Sequence, residues 1–320
     1  MDRIAVIIPV YRAAFLADTL QSVFSQTRPP DQVIVIDDGS PEQAELQRAV
    51  AAYPSRVTLI TQANAGAAAA RNAGLRASTA DLVAFLDADD RWLPDFLERQ
   101  AGYLKLHPEI DLVYADAIVV GDTPAVGSTF MTMCPSRGEV TLRSLLAQEC
   151  NILTSTVVVR RRLVIEAGSF DVAIRRGQDF DLWLRLVARG ARVGYQEHVL
   201  AERRLHGNNL SGTQLNELER ALHVFGKAMR TLPLTEIERD TALNRVRELE
   251  AELAREQGKA RLASGDYHGA LEFLEQASHV LPSWKLRAAR LALRVAPQLL
   301  RRVYLARAVV AVLTALSSAS

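Results

Sequence analysis

Residues 32–40 read QVIVIDDGS, four consecutive β-branched residues followed by two aspartates, a glycine and a serine. A run that is apolar on both faces is typical of a strand in a parallel sheet that is covered by helices. Such runs predict strands at Gln32–Asp37, Ile4–Val10, Val57–Thr61, Leu82–Leu86 and Leu112–Val120. Because helical stretches separate these runs, the pattern predicts an α/β domain with a doubly wound, mostly parallel sheet.

The segments between the strands carry helical signals. Ser40, Pro41 and Gln43 form the pattern of a helix N-terminus, with the serine as N-cap and the glutamine bonding back to it. Periodicity or propensity predicts the other helices: one that contains Leu16, Leu20 and Val23, and those at Ala67–Ala77, Pro94–Leu106 and Asp179–Arg189. The rest of residues 121–211 is less regular.

Composition excludes several classes of protein. Of 320 residues, 49% are apolar and 23% are charged, and the net charge of +1 gives no reason to expect a nucleic-acid partner. Only Cys134 and Cys150 are present, too few for a disulfide framework, and we expect buried, reduced thiols. We see no secretory signal and no stretch of the roughly 20 apolar residues that a membrane-spanning helix needs. We therefore expect a cytoplasmic protein.

Beyond Gly212 the pattern becomes entirely helical, which predicts two domains, residues 1–211 and a tail at 212–320. Residues 251–282 resemble a tetratricopeptide helix pair in their small and packing residues: Gly258, Gly265, Tyr267, Ala270, Leu274, Ala277 and Pro282. From Lys285 onward there are seven basic residues, no acidic ones, and interleaved apolar residues. This end predicts either peripheral contact with an anionic membrane or a helical face that packs on the first domain.

Ligands of an open α/β sheet bind beyond the carboxyl ends of its strands. There the first predicted strand ends in Pro9-Val10-Tyr11, the second in Asp37-Asp38, and the fourth in Asp87-Ala88-Asp89-Asp90. Five carboxylates around one crevice repel one another unless a cation or hydrogen-bond donors offset their charge. No glycine follows the first strand, which excludes the dinucleotide-binding fingerprint of dehydrogenases.

At these residues the sequence resembles the inverting family 2 nucleotide-sugar glycosyltransferases, which have the GT-A fold. The resemblance covers about residues 3–211. It rests on VIIPVY at 6–11, VIDDGS at 35–40, NAG at 64–66 with ARNAG at 70–74, FLDADD at 85–90, and GSFD at 168–171 leading to GQDFDLW at 177–183. It implies transfer of a sugar from a nucleotide-sugar donor, UDP- or dTDP-linked, to a glycan or lipid-linked acceptor in cell-surface polysaccharide biosynthesis.

The resemblance implies nucleotide-binding roles for several residues. Asp38 is expected to accept a hydrogen bond from a pyrimidine base, with Pro9 and Tyr11 as the apolar wall beside it, and Arg71 to pair with phosphate. The residues alone leave other interpretations open. Asp38 also suits a turn aspartate that caps its own backbone, Pro9 and Tyr11 suit packing, and Arg71 suits a solvated helix position.

Asp87 and Asp89 match the family's Asp-x-Asp motif, which implies a bound Mg²⁺ or Mn²⁺ and, for Asp87, contact with the nucleotide as well. Hard divalent cations take carboxylate oxygens and complete their shell with diphosphate and water. His206 is expected to complete the metal shell or to bind phosphate. The alternatives are a solvated acidic turn and an ordinary loop histidine.

Asp179 matches the general base of the family, which takes the proton of the acceptor hydroxyl. Gln178 stands where glutamate is more usual in this motif. Asp181 lies two residues on, so the two carboxylates should point apart on a helix. Asp179 also suits a carboxylate that the helix dipole stabilises, and Trp183 is expected in the core.

Two rival functions fit parts of the pattern. A sugar-phosphate nucleotidyltransferase shares the fold, but its glycine-rich basic loop after the first strand is missing. A pseudo-transferase or scaffold would use the helical tail to bind a partner, and it predicts loss of an acidic site residue. Because Asp38, Asp87, Asp89 and Asp179 are all present, the transferase is the favoured hypothesis.

Overall fold

The computed structural model describes residues 2–123, 125–206 and 214–306, and contacts divide these residues into two units. The first unit comprises the described residues up to Gly121 and from Ala125 to His206, and the second comprises the remaining described residues. The predicted boundary at 211/212 lies outside the described residues, so the two-domain assignment stays a prediction.

Among the residues described, eight strands form one mixed sheet in the first unit. They are β1 (Ile4–Val10), β2 (Gln32–Asp38), β3 (Thr58–Gln62), β4 (Leu82–Phe85), β5 (Arg91–Trp92), β6 (Leu112–Gly121), β7 (Val158–Arg160) and β8 (Val193–Leu205). Their spatial order is β3-β2-β1-β4-β7-β6-β8-β5. The pairs β1–β2, β2–β3, β1–β4 and β6–β8 are parallel, whereas β4–β7, β6–β7 and β5–β8 are antiparallel. The predicted mostly parallel sheet is confirmed.

Helices connect most of the strands of the first unit. They are α1 (Leu16–Phe24), α2 (Gln43–Ala51), α3 (Ala67–Ala77), α4 (Phe96–Leu106), α5 (Phe130–Met133), α6 (Leu142–Leu146), α7 (Arg161–Glu166) and α8 (Gln178–Ala188), with a 3₁₀-helix at Thr154–Thr156. α1 buries Leu16, Leu20 and Val23 against the sheet core, as their spacing predicts. Trp183 is also buried, so its predicted core position is confirmed.

All five predicted strands are present, and each end lies within one residue of its predicted position. The region from 121 to 206 is more regular than expected, because it also contains β7, β8 and three short helices. β8 spans 13 residues and pairs with β6 over most of its length. Of the two thiols, Cys150 is buried and Cys134 is half-buried, and they form no disulfide in the part of the chain that the structure describes.

The predicted helix start at Ser40 is wrong. α2 begins at Gln43, and Glu42 before it lies outside the helical region with φ −99° and ψ 53°. Ser40 Oγ accepts a hydrogen bond from the Glu42 amide at 3.1 Å, and Gln43 Nε2 donates to Ser40 O and to Asp37 Oδ2, both at 2.9 Å. Because these polar groups satisfy one another, the segment forms a turn before the helix.

Gly74 lets α3 pack closely on the sheet. A Cβ at this position would lie 2.5 Å from Cγ2 of Ile7 and 3.0 Å from Cδ1 of Ile36. We expect Gly74→Ala to lower the free energy of unfolding by about 1–3 kcal/mol, the usual cost of overpacking a core. Urea denaturation measures this change. Gly102→Ala is the matched control, because Gly102 lies within α4 with open space around the added Cβ.

In that control variant the better helix propensity of alanine should raise stability by about 1 kcal/mol or less. The same glycine-to-alanine substitution should therefore lower the free energy of unfolding at position 74 and raise it at position 102. A Gly74→Ala protein as stable as the Gly102→Ala protein would contradict the close approach of α3 to β1 and β2.

The second unit is helical, with α9 (Gln214–Thr231), α10 (Glu236–Ser264), α11 (Tyr267–Ser278), α12 (Trp284–Val295) and a further helical stretch at 297–306. Thr235 and Glu238 form a capping box at the start of α10, and Gly265 ends α10 with a φ of 90°. A Cβ at Gly258 would lie 2.8 Å from the side chain of Leu274, so this glycine allows α10 and α11 to approach closely. The helical tail is confirmed, and its tetratricopeptide character stays a prediction.

Buried side chains of three helices form the core of this unit: Ala254, Leu262, Ala270, Leu274, Ala277, Leu286 and Leu293. α12 ends at Val295, Ala296 is not helical, and the helix resumes at Pro297, a residue that is expected to divide the segment. None of the helices in the described ranges is both long and apolar enough to cross a membrane.

Candidate active site

The acidic segments lie at one edge of the sheet, as predicted. In the register of the parallel strands, Val10 of β1 pairs with Asp37 of β2, and Ile7 of β1 pairs with Phe85 at the end of β4. The carboxyl ends of these strands are therefore adjacent. The acidic turn at residues 87–90 follows β4 directly at this edge.

Asp38 holds the loop that leads into α3. It is 3% exposed, and its Oδ1 accepts hydrogen bonds from Gln62 Nε2 at 2.7 Å and from the Ala65 amide at 2.8 Å. Its Oδ2 accepts one from the Gly66 amide at 2.8 Å. The interpretation of Asp38 as a cap of its own turn is wrong, because its donors lie more than 20 residues away. Its contact with a nucleotide base stays a prediction.

Tyr11 follows β1 at the same edge and is 47% exposed, with the Arg12 guanidinium 5.7 Å from its ring centroid. Pro9 is half-buried within β1, next to Ile36 of β2. An exposed aromatic ring at the mouth of the crevice does not serve the core. The position therefore suits Tyr11 to a wall for a base, and the role of both residues stays a prediction.

Arg71 is buried and reaches the acidic turn from α3. It is 4% exposed, its Nη2 lies 2.5 Å from Asp87 Oδ1, and its guanidinium lies 5.4 Å from the ring centroid of Phe170. The interpretation of Arg71 as a solvated residue is wrong. Its Nε and Nη1 are buried and have no hydrogen-bond partner among the described residues. A buried guanidinium whose N–H donors are partly unused is suited to bind an anionic ligand.

Asp89 and His206 lie in contact, as the prediction of a shared metal site requires. His206 Nε2, just after β8, is 3.1 Å from Asp89 Oδ2. Burial raises the pKa of the Asp89 carboxyl, the charge of Asp87 raises it further, and the contact with His206 opposes both effects. A negative charge at Asp89 is therefore costly in this site, and a bound cation would offset that cost.

Asp90 differs from its neighbours because it is buried and both of its carboxylate oxygens are hydrogen-bonded within the protein. Its Oδ2 accepts a hydrogen bond from Ser155 Oγ at 2.5 Å, and its Oδ1 accepts one from the Arg204 amide at 2.9 Å. Burial, and then the charges of Asp89 and Asp87, raise the pKa of Asp90 well above its ordinary value. We conclude that Asp90 fixes the turn against β8 and is unsuited to face a ligand.

The pair Asp89–His206 fits a hard divalent cation. Within the described ranges no three His, Cys, Asp or Glu side chains form a ready-made metal cage. His206 Nε2 and Asp89 Oδ2 lie 3.1 Å apart in a hydrogen bond, so an imidazole nitrogen and a carboxylate oxygen, both potential metal ligands, already meet at one point. These residues would therefore supply part of a shell and leave the rest to diphosphate oxygens and water.

Asp179 lies in the first turn of α8, which follows Gly177 in the left-handed conformation with a φ of 77°. Its Oδ2 accepts a hydrogen bond from Thr154 Oγ1 at 2.7 Å, and its Oδ1 accepts one from the Phe180 amide at 2.8 Å. The side chain is half-buried, so it has both a fixed orientation and access to solvent.

Asp181 points elsewhere, as its spacing from Asp179 predicts. It is 3% exposed, and its Oδ2 lies 2.7 Å from Arg185 Nη2. Arg185 also donates to the carbonyl oxygens of Ala167 at 2.5 Å and Ser169 at 2.8 Å. This pair anchors α8 to the loop before it and leaves Asp179 as the carboxylate on the open side.

The 3₁₀-helix at Thr154–Thr156 connects the predicted base with the acidic turn, and the sequence reasoning missed it. Thr154 binds Asp179, and the next residue, Ser155, accepts from the Asp87 amide at 3.3 Å and donates to Asp90. Three hydroxyl residues directly before the apolar run at 157–159 are the signal that marks this element. One turn of backbone therefore brings Asp179 next to the Asp-x-Asp motif.

Comparisons with known proteins bear on the fold and the family of this chain. The family model described as Glycosyl transferase family 2 matches residues 5–166. The chain is 29% identical over 198 residues to an uncharacterized glycosyltransferase of Haemophilus influenzae, covering 60% of this chain and 65% of that protein. Another uncharacterized glycosyltransferase, from Rickettsia felis, is 25% identical over 214 residues, which cover 63% of this chain and 34% of the relative. The chain thus spans less than two thirds of either relative.

A relative with a specific name is the UDP-Glc:alpha-D-GlcNAc-diphosphoundecaprenol beta-1,3-glucosyltransferase WfgD of Escherichia coli. It is 28% identical over 229 residues, which cover 70% of this chain and 85% of the relative. Among solved structures, Staphylococcus aureus TarS 1-349 in complex with UDP-GlcNAc has a TM-score of 0.63 at 18% identity, covering 94% of this chain and 90% of that one.

The mannosyltransferase PcManGT from Pyrobaculum calidifontis, in complex with GDP-Man and Mn²⁺, has a TM-score of 0.62 at 21% identity, covering 96% of this chain and 86% of that one. At such identities these likenesses establish the fold alone, and they confirm the predicted GT-A architecture. The family match ends before Asp179 and His206. Since it still takes in just over half of the 320 residues, together with the motifs at the ends of β1, β2 and β4, this chain belongs to the Glycosyl transferase family 2.

Proposed function

We propose that the protein transfers a hexosyl group from a nucleotide sugar to a glycan or lipid-linked acceptor, with inversion at the anomeric carbon. The observation that carries the proposal is the path of contacts from Asp179 through Thr154 and Ser155 to Asp87. It sets a half-buried carboxylate beside the motif expected to bind the leaving diphosphate. A single displacement needs this pairing of a base with a site for the leaving group.

The donor side of the site rests on three residues in this proposal. Asp89 and His206 would hold Mg²⁺ or Mn²⁺, and Arg71, whose Nε and Nη1 have no partner among the described residues, would donate to a phosphate oxygen. When bound, the cation would neutralise negative charge on the departing nucleoside diphosphate. Because Arg71 is buried, its charge acts through a medium of low dielectric, where it stabilises an anion more than it would in water.

The acceptor side rests on Asp179. Its carboxylate would take the proton of the acceptor hydroxyl as that oxygen forms the new bond to the anomeric carbon, and the nucleoside diphosphate leaves with the bonding electrons. The hydrogen bonds from Thr154 and the Phe180 amide orient the two oxygens and leave lone pairs on each. The carboxylate therefore needs no rearrangement to receive a proton.

The relatives support the choice of ligands. The TarS structure is a complex with UDP-GlcNAc and the PcManGT structure a complex with GDP-Man and Mn²⁺, while the name of WfgD gives UDP-Glc as donor and a diphosphoundecaprenol-linked sugar as acceptor. By likeness to WfgD we favour a UDP-sugar donor and a lipid-linked acceptor, with a dTDP-sugar as the other donor that the resemblance in sequence implies. The protein would then act in cell-surface polysaccharide biosynthesis from the cytoplasmic side, at the surface of the membrane.

A panel of nucleotide sugars tests the proposal. We expect the purified protein with Mg²⁺ or Mn²⁺ to release nucleoside diphosphate from one of them, and faster when a diphosphate-lipid-linked sugar is added. NMR of the product should show an anomeric configuration opposite to that of the donor. Retention would overturn the single displacement, and binding of nucleotide with no turnover of any donor would favour the scaffold alternative.

A further inference from the structure

Helix α12 of the second unit has two apolar faces. Leu286 and Leu293 lie on one face and are buried in the helical core, at 6% and 5% exposed. Trp284, Leu291 and Val295 are 69%, 64% and 77% exposed. At about 100° of turn per residue, these three lie on the side opposite to the buried pair. One apolar face is enough to join a core, so the second face calls for another explanation.

The next helical stretch, residues 297–306, also carries both packed and exposed apolar side chains. Leu300 and Tyr304 pack against the helical core, whereas Leu299 and Val303 are 62% and 44% exposed. We give the name outer apolar row to five of the exposed apolar side chains on the two stretches: Trp284, Leu291, Val295, Leu299 and Val303.

Basic side chains accompany the row. Residues 285–306 contain six of them and no acidic residue. Arg290 and Arg294 pair with Glu275 of α11. Of the remaining basic side chains, Lys285, Arg287 and Arg302 are exposed and make no ion pair within the part of the chain that the structure describes. On α12, Lys285 and Arg287 flank Trp284 on its two sides.

We propose that the outer apolar row and its flanking cations form a docking surface for an anionic lipid bilayer. Helices of this composition lie in the plane of the interface, with apolar side chains at the headgroup–acyl boundary and cations among the phosphates. Trp284 suits that depth, because an indole has an apolar body and a polar N–H. Arg307, the seventh basic residue of the predicted membrane-binding segment, lies outside the described residues.

A second copy of the chain is the competing occupant, and charge argues against it. In a two-fold dimer the same patch meets itself, so Lys285, Arg287 and Arg302 of one copy would face a patch that carries cations and no carboxylate. Like-charge juxtaposition opposes such a contact. An anionic bilayer instead matches the apolar row and the cations at once. The use of this surface to reach a lipid-linked acceptor rests on the proposed function, whereas binding to the bilayer does not.

Tryptophan fluorescence of the full chain tests the proposal. Trp92 and Trp183 are 3% and 2% exposed, whereas Trp284 is 69% exposed, so a change in emission or quenching reports Trp284. With vesicles of equal parts phosphatidylglycerol and phosphatidylcholine at low salt, we expect a blue shift and protection from acrylamide. Both changes should be much smaller with pure phosphatidylcholine, and in about 1 M salt, where the Debye length is about 3 Å.

Substitutions with a matched control identify the surface. Leu291→Glu puts a charge into the row and should weaken vesicle binding by about tenfold or more, and Lys285→Gln with Arg287→Gln should do so at low salt. Ile237→Glu is the control, since Ile237 on α10 is 69% exposed, close to the 64% of Leu291, and lies outside the row. Its binding should equal that of the wild type. These exposed positions are preferable to truncation after Pro282, which would also remove Leu286 and Leu293 from the core.

The outcomes separate the competing explanations. Equal binding of the wild type and Leu291→Glu, or equal loss in Ile237→Glu, overturns the proposal. Dimerisation without vesicles that is lost in Leu291→Glu assigns the row to a second copy and overturns it too. Transfer to a short, water-dispersed acceptor should be unchanged in Leu291→Glu, so failure of the membrane surface and failure of the transferase proposal give different results.

Discussion

Replacing Asp179 with asparagine is expected to lower the rate of sugar transfer by about 10² or more, with little change in affinity for the nucleotide sugar. The amide keeps the size of the side chain and its place in the first turn of α8, but it cannot take a proton at neutral pH. Thr154 Oγ1 can still donate to the amide oxygen, so the side chain should keep its orientation. Steady-state transfer kinetics and calorimetry with the donor measure the two quantities.

Thr154→Val tests the role of Asp179 as general base with a smaller expected effect. The valine keeps the branched shape and removes the hydroxyl that orients Asp179, so kcat should fall by about tenfold while the KM for the donor stays the same. Thr156→Val is the matched control in the same 3₁₀-helix, because the Thr156 hydroxyl donates to the Leu153 carbonyl oxygen at 2.8 Å and does not contact Asp179. A full transfer rate in Asp179→Asn would show that another carboxylate serves as the base.

Asp181 is the nearest alternative by sequence, and the structure makes it a poor one. Its carboxylate is buried and paired with Arg185, and Arg185 binds two carbonyl oxygens of the preceding loop. Asp181→Asn would leave a buried guanidinium without its counter-charge, a loss that is strongly destabilising. Its effect should therefore appear as a lower free energy of unfolding, whereas Asp179→Asn should unfold like the wild type.

The strands show which parts of a fold a single sequence predicts well. β1 was predicted to the residue and β2 to within one, because their side chains are apolar on both faces and the pattern needs no knowledge of neighbours. β8 was missed because its sequence, VGYQEHVLAERRL, mixes charged and apolar residues and is half-buried over most of its length. Pairing with β6, some 80 residues earlier, is what makes it a strand.

In the candidate site too, the sequence predicts some features and tertiary contacts decide others. The carboxylates that follow β2 and β4 were found from sequence because strand ends meet at one edge of a parallel sheet. Their individual roles depend on partners that are distant in the chain. Arg71 is buried under Phe170, 99 residues later, and Asp90 is bound by Ser155 and the Arg204 amide. Spacing alone cannot distinguish a carboxylate that faces a ligand from one that fixes a turn, because the difference lies in tertiary hydrogen bonds.

The metal site leads to the second large expected effect. Asp89→Ala should weaken binding of UDP or another matching nucleoside diphosphate by about tenfold or more, equivalent to about 1.4 kcal/mol. The variant removes the carboxylate of the Asp89–His206 pair that fits a divalent cation. Chelation of Mg²⁺ and Mn²⁺ should weaken binding to the wild type to a similar extent. Chelation should have little further effect on Asp89→Ala, since both changes remove the same interaction. Calorimetry with and without the cation measures all four affinities.

Asp89 is a better target than Asp87, whose removal would leave the buried Arg71 without its carboxylate partner. Asp81→Ala is the control, because Asp81 is an exposed aspartate directly before β4, whereas Asp89 follows the same strand at its other end. Nucleotide affinity in that variant should equal that of the wild type and should keep its dependence on the cation. Equal affinity of the wild-type protein with and without Mg²⁺ or Mn²⁺ would remove the metal from the proposal. Neutralisation of the leaving diphosphate would then fall to Arg71, whose Nε and Nη1 have no partner among the described residues.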